Sequence, residues 1–160
     1  MNEFLRRLEI ALTNLPGNPK PSCKGFYIAY YDRHKKATTA EKIGFVPDSK
    51  DFQYLHFSLK KATQTLFLNK IRSKDFENSD LEQYAGGVQL ANGCAGVSGH
   101  DPLVDEAIAI LWLTHKEFIF NYGTPNVFTI LSKAAMLIEY TVASDNTWVG
   151  IIADRIVMAN

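Results

Sequence analysis

The residues of this chain that could carry chemistry are four histidines, two cysteines and a glycine-rich corner. The corner reads Gly96-Val97-Ser98-Gly99-His100-Asp101 and runs directly into Pro102. Asp101 can cap a helix, and Pro102 suits a first helical turn because its missing N–H would be unpaired there anyway. Backbone N–H groups at such a junction, backed by the positive end of a helix dipole, can receive a carboxylate or a phosphate. The plainer reading is that the glycines only let strand and helix pack closely. His100 stands beside the junction, where its own residue context reads as a polar loop residue next to the cap. Ser98 lies in Gly-Val-Ser-Gly, but no partner histidine and acid are specified, so it reads as a turn former and not a nucleophile.

The other candidates are weaker. His34 sits among Arg33, Lys35 and Lys36 and reads as a solvated turn residue, while His115 falls in a crowded aromatic stretch and reads as core-edge. His56 either ligates a metal or hydrogen-bonds a backbone group near a helix edge. Cys23 and Cys94 are far apart and lack CxxC spacing, which predicts two reduced thiols and no structural zinc. Walker, GxGxxG, HExxH and GxSxG patterns are absent from the sequence, so no catalytic residue is assigned.

These groups must be held by a small set of elements. Residues 88–91 and 94–97 are short apolar runs around Asn92-Gly93, a dipeptide suited to the positive φ angles of a two-residue type I′ hairpin. A helix over 102–121 comes next, with Asp105 and Glu106 in its first turn and Ala107, Ile108, Leu111 and Trp112 as an apolar stripe. Its remaining apolar surface asks for a further element or a second subunit. An amphipathic helix is predicted over 2–15, ended by the proline-rich connector 16–21. Strands are predicted over 25–32 and 42–46, joined by a polar turn and paired with one another. A long helix over 52–71 takes Ser49 or Asp51 as its cap and buries Phe52, Leu55, Leu59, Ala62 and Leu66. Residues 72–84 read as an irregular crossover, 124–142 as a helix, and 148–158 as a helix in preference to an edge strand.

The corner, together with the helix after it, also resembles a known family. Gly93-Cys94-Ala95-Gly96-Val97-Ser98-Gly99, then Asp105-Glu106-Ala107-Ile108-Ala109, is similar to the GAIGVSG…QDEAIA signature of the GlcG/HbpS-like haem-binding family, related to the C-terminal domain of PduO-type proteins. Ile28-Ala29-Tyr30-Tyr31-Asp32 resembles that family's IAVVD strand, and Ser58-Leu59-Lys60-Lys61-Ala62-Thr63-Gln64-Thr65 resembles its helix carrying DKAYTA. The likeness spans residues 24–118. It implies an α/β (α+β) fold, a profilin-like sandwich with a central antiparallel β-sheet flanked by helices, over residues 1–122. Residues 123–160, which have no counterpart in the family, would form a helical C-terminal extension packed on the same domain or at an oligomer interface.

The resemblance further implies a small-ligand binding protein, its ligand haem, another tetrapyrrole or a carboxylated small molecule. The pocket would take Gly96, Val97, Ser98, Gly99, His100 and Asp101 from the corner and His56 and Lys60 from the long helix, with His100 the candidate ligand to a haem iron. Homo-oligomers are usual in the family. The reading from a different class is a non-catalytic interaction or assembly module that has lost the pocket.

Composition narrows the partners. At 160 residues the chain can bury a proper core as one domain, and its 46% hydrophobic content argues against disorder. Lysine plus arginine and aspartate plus glutamate are both 17, so no bulk charge favours nucleic acid or an anionic membrane. Neither a signal peptide nor an apolar run of membrane-spanning length is read, which makes the cytoplasm the expected compartment.

Overall fold

The computed structural model describes residues 3–13, 15, 25–122 and 143–159. The expected connector at 16–21, Cys23 and the expected helix over 124–142 lie outside these residues. In chain order the elements are α1 (Glu3–Leu12), β1 (Phe26–Asp32), β2 (Ala37–Ile43), α2 (Asp48–Phe67), β3 (Gly87–Leu90), β4 (Gly93–Ser98), α3 (Pro102–Tyr122) and α4 (Trp148–Met158). Two short 3-10 turns, Ser73–Phe76 and Ser79–Leu81, form the crossover between α2 and β3. The four strands make one antiparallel sheet in the order β2-β1-β4-β3, so the fold is α+β with a helical C-terminal segment.

Period-two alternation in β1 divides the molecule into two layers. Phe26, Ile28 and Tyr30 join Ala95 and Val97 of β4 in one apolar cluster with Ile108 and Leu111 of α3, Phe4 and Leu8 of α1, and Ile152 and Ile156 of α4. Tyr27 turns the other way, and its hydroxyl donates to the Asp51 carboxylate of α2 at 2.9 Å. The C-terminal helix therefore belongs to the same core as the first helix, and α4 packs on both α1 and α3. Among the described residues no helix is long and apolar enough to cross a membrane.

The opposite layer is α2, and it is built differently from the amphipathic helix that the sequence predicts. Its buried residues are Ser58, Lys61, Ala62 and Thr65, while Phe52, expected in the core, is 78% exposed and Leu55, Leu59 and Leu66 are only half-buried. The reason lies in the sheet beneath it. Ala29, Gly96 and Gly87 are direct cross-strand partners, which lays a row of minimal side chains across three strands. A Cβ on Gly96 would sit 2.1 Å from the Ser58 carbonyl oxygen, and one on Gly87 would sit 2.6 Å from that of Lys61. The helix backbone thus rests on the sheet backbone, and only small or outward-reaching side chains fit the seam. Serine and threonine are satisfied locally there: Ser58 donates to the Leu55 carbonyl at 2.8 Å and Thr65 to that of Ala62 at 2.8 Å.

Three boundaries also differ from expectation. α2 starts a turn early, and neither Ser49 nor Asp51 caps it: Pro47 holds the N-cap position without a side-chain bond, and Asp51 is engaged by Tyr27 and by Lys42 at 2.8 Å. β2 starts at Ala37 and not near Lys42, because the chain reverses within residues 33–36, with Lys36 at φ 51°. The β3-β4 hairpin is present, but Leu90 pairs with Gly93, which makes the two loop residues Ala91-Asn92. Neither Asn92 nor Gly93 has positive φ, so the turn is not type I′. Gly93 is instead a strand residue pressed on β1, where a Cβ would lie 2.0 Å from the Tyr31 carbonyl oxygen. Arg33 closes the turn from β1's side, its guanidinium donating to the Leu90 carbonyl at 2.6 Å and its N–H to that of Asn92 at 3.0 Å.

Candidate functional site

The corner forms where β4 leaves the sheet. Gly99 takes φ +152°, and a Cβ there would lie 2.5 Å from that of Phe26, so both conformation and space call for glycine. The chain then enters α3 under double acidic control. Asp101 accepts from the Leu103 N–H at 3.2 Å, the expected cap, and Asp105 accepts from the His100 N–H at 2.9 Å. These two carboxylates occupy the positive end of the α3 dipole.

Asp105 is also the counter-charge of a buried cation. Lys61 of α2 donates to the Val97 carbonyl at 2.7 Å and lies 3.4 Å from Asp105 Oδ2. The Nδ1 of His100 lies 3.4 Å from Asp105 Oδ1 without making a hydrogen bond, and that nitrogen has no hydrogen-bonding partner among the described residues. The imidazole is wedged against the Phe26 ring with centroids 5.1 Å apart. Beside this cluster opens a cavity of about 330 Å³, walled by Tyr54, Phe57 and Lys61 of α2, by Ser98 and His100 of the corner, and by Tyr84.

The residues predicted for the site are brought together only in part. Ser98, Gly99 and His100 line the cavity. Val97 contributes its carbonyl to Lys61, Gly96 is covered by α2, and Asp101 serves as the cap. His56 and Lys60 do not line it. His56 is exposed and stacks on Phe52 with centroids 6.1 Å apart, and Lys60 reaches out to the Leu81 carbonyl at 3.1 Å. The rotation of α2 that exposes Phe52 turns Tyr54, Phe57 and Lys61 inward in their place. Their i, i+3, i+7 spacing was visible in the sequence, but a lysine is not read as part of a buried stripe.

A second polar cluster braces the corner from behind. Arg72 makes a paired contact with Glu106, which has no exposed surface, at 3.0 and 2.6 Å, and reaches Asp145 at 2.7 Å. Asn146 donates to Glu106 at 2.9 Å and accepts from the Trp148 N–H at 3.1 Å, tying the start of α4 to α3. Hydrogen bonds from Lys74 and then Arg72 hold the Asp145 carboxyl at about 2, well below its ordinary 3.8. Among the described residues no group of three histidine, cysteine or acidic side chains gathers to hold a metal ion. No family model, curated protein or solved structure matches the chain.

Proposed function

We propose that the chain is a small-ligand binding protein related to the GlcG/HbpS-like family, and that its corner cavity takes a small carboxylated molecule. The observation that carries this reading is the cavity of about 330 Å³ at the foot of α3, within the size range of small-molecule sites. Lys61, the Ser98 hydroxyl and the imidazole of His100 would hold its polar end, and the aromatic walls Tyr54, Phe57 and Tyr84 would cover its body. Haem, the other ligand the resemblance implies, needs an apolar slot and a reachable axial lone pair. Lys61, Asp105 and Ser98 make these walls polar, and the His100 side chain is 2% exposed, so the residues fit a small acid better than a macrocycle.

Benzoate and succinate titrations followed by ¹H–¹⁵N NMR test this. The amides of Ser98, His100 and Tyr84 should shift saturably, and His100→Gln should weaken the binding. A Soret shift with haem that His100→Ala removes would replace the small acid by haem. Silence towards all three probes in a folded chain would reject a ligand site at the corner.

A second reading, an assembly module, is favoured by a sheet edge that no described strand covers. Residues 37–42 of β2 are exposed on both faces, and Phe45 and Phe52 beside it are 73% and 78% exposed. Light scattering decides it: a particle heavier than 18.0 kDa supports self-assembly, and a monomer at every concentration sets it aside.

A further inference from the structure

A larger cavity, of about 390 Å³, lies at the other end of the strands and shares no lining residue with the corner. Its walls are unlike each other. One side is the core, presenting Tyr30 of β1 and Trp112 of α3, which are 8% and 4% exposed and meet edge to face at 6.1 Å. The other is the open strand β2, which contributes Thr39 and Glu41, and the rim carries Asp32 and Asn92.

Two features of this cavity ask for an occupant. Lys116 projects over the Trp112 ring with its Nζ 4.5 Å from the centroid, and forms no ion pair or hydrogen bond with the described residues. Burial lowers its pKa, which marks a partly desolvated cation with no paired anion among the described residues. In addition, Glu41 of β2 and Asp32 of β1 line the same cavity and attract the Lys116 charge without reaching it in an ion pair; Asp32 Oδ1 also accepts from the His34 and Lys35 N–H groups at 2.8 and 3.2 Å.

We propose that this cavity is a second binding site, for a zwitterionic small molecule of the amino-acid kind with a flat side chain. Its carboxylate is held by Lys116, its ammonium by Glu41 and Asp32, and its side chain lies against the Tyr30 and Trp112 rings. Burial, with the nearby Asp32 charge, pushes the Tyr30 phenol up to about 12, so it stays neutral and presents an aromatic wall and not a competing anion.

Trp112 is itself the reporter. The chain has two tryptophans, and Trp148→Phe leaves Trp112 alone to fluoresce. L-Phenylalanine should change its emission saturably. 3-Phenylpropionate, which lacks the ammonium, and 2-phenylethylamine, which lacks the carboxylate, should each bind at least tenfold more weakly. Lys116→Gln should weaken phenylalanine by at least tenfold. A half-molecule that binds within tenfold of phenylalanine, an unaffected Lys116→Gln chain, or no saturable change at all overturns the proposal. Should Trp148→Phe not fold, the Thr39, Asn92 and Lys116 amides of the unaltered chain report the same three titrations by NMR with the same criteria.

Discussion

The ammonium of Lys61 sits 3.4 Å from the carboxylate of Asp105, with 7% and 3% of the two side chains exposed. One belongs to the helix on the lower face of the sheet and the other to the first turn of the helix on the upper face, so the pair clasps the sheet's end between them. Removing one member of such a pair leaves an uncompensated buried charge, which costs about 3–5 kcal/mol. Asp105→Ala should lose that much in urea denaturation, since it also strips the acceptor from the His100 N–H. Lys61→Met combined with Asp105→Leu should cost clearly less than the sum of the single changes. Strict additivity would show that the two side chains act independently.

The seam under α2 gives a steric prediction. Gly96→Ala places a methyl group 2.1 Å from a backbone carbonyl that cannot rotate aside, so α2 must lift. A loss of about 3 kcal/mol is expected, at the upper end for overpacking. Ala40→Ser on the exposed strand should stay within about 0.5 kcal/mol. Equal effects would mean that the helix is not seated on the glycine row.

How far the sequence discloses this architecture depends on what kind of signal each part emits. Patterns of apolar alternation identify β1, the hairpin, α1, α3 and α4, because those elements bury hydrophobic faces in one shared cluster. α2 escapes that logic. Its inward side is Ser58, Lys61, Ala62 and Thr65, chosen for closeness to the sheet, and its bulky residues such as Phe52 and Phe67 face outward. The error carries straight into the site: a helix rotated towards Phe52 offers His56 and Lys60, and the true one offers Tyr54, Phe57 and Lys61. Asn92-Gly93 likewise marks a hairpin correctly but misplaces its turn, since Gly93 is required for contact with β1 and not for its φ. Arg72 with Glu106 is a long-range pairing that no local pattern announces.

His115 makes the stability pH-dependent. Its ring stacks on Phe4 with centroids 4.3 Å apart, and burial, with a smaller contribution from Lys116, depresses its pKa from 6.5 to about 4. Between those values the unfolded chain binds a proton that the folded chain refuses, so stability falls as the pH drops from 6.5 towards 4 and levels off below. The total is roughly 3 kcal/mol. His115→Leu should flatten the unfolding free energy across this window; an unchanged slope would assign the dependence to other groups.

Asp145 acts in a lower window and with the other sign of charge. Its carboxyl is held at about 2 in the fold against 3.8 unfolded, so its contribution is complete above pH 3.8 and lost as the pH falls towards 2. Asp145→Asn should remove that acid-side loss, with a modest effect because nearly half of its side chain is exposed. Arg72→Ala should cost far more, about 3–5 kcal/mol, by stranding Glu106. Similar costs for the two substitutions in thermal unfolding at neutral pH would contradict the assignment of Glu106 as the arginine's main counter-charge.

Among the described residues β2 is hydrogen-bonded along one margin only, while Trp112, across the larger cavity from it, is wedged among core side chains. The two sides of that opening therefore differ in compliance: one is a cantilever and the other a foundation. Its aperture can widen or narrow through bending of the cantilever without disturbing the packed interior, and a guest bridging Glu41 to Lys116 would act as a strut, slowing amide exchange in β2 while leaving β4 unchanged.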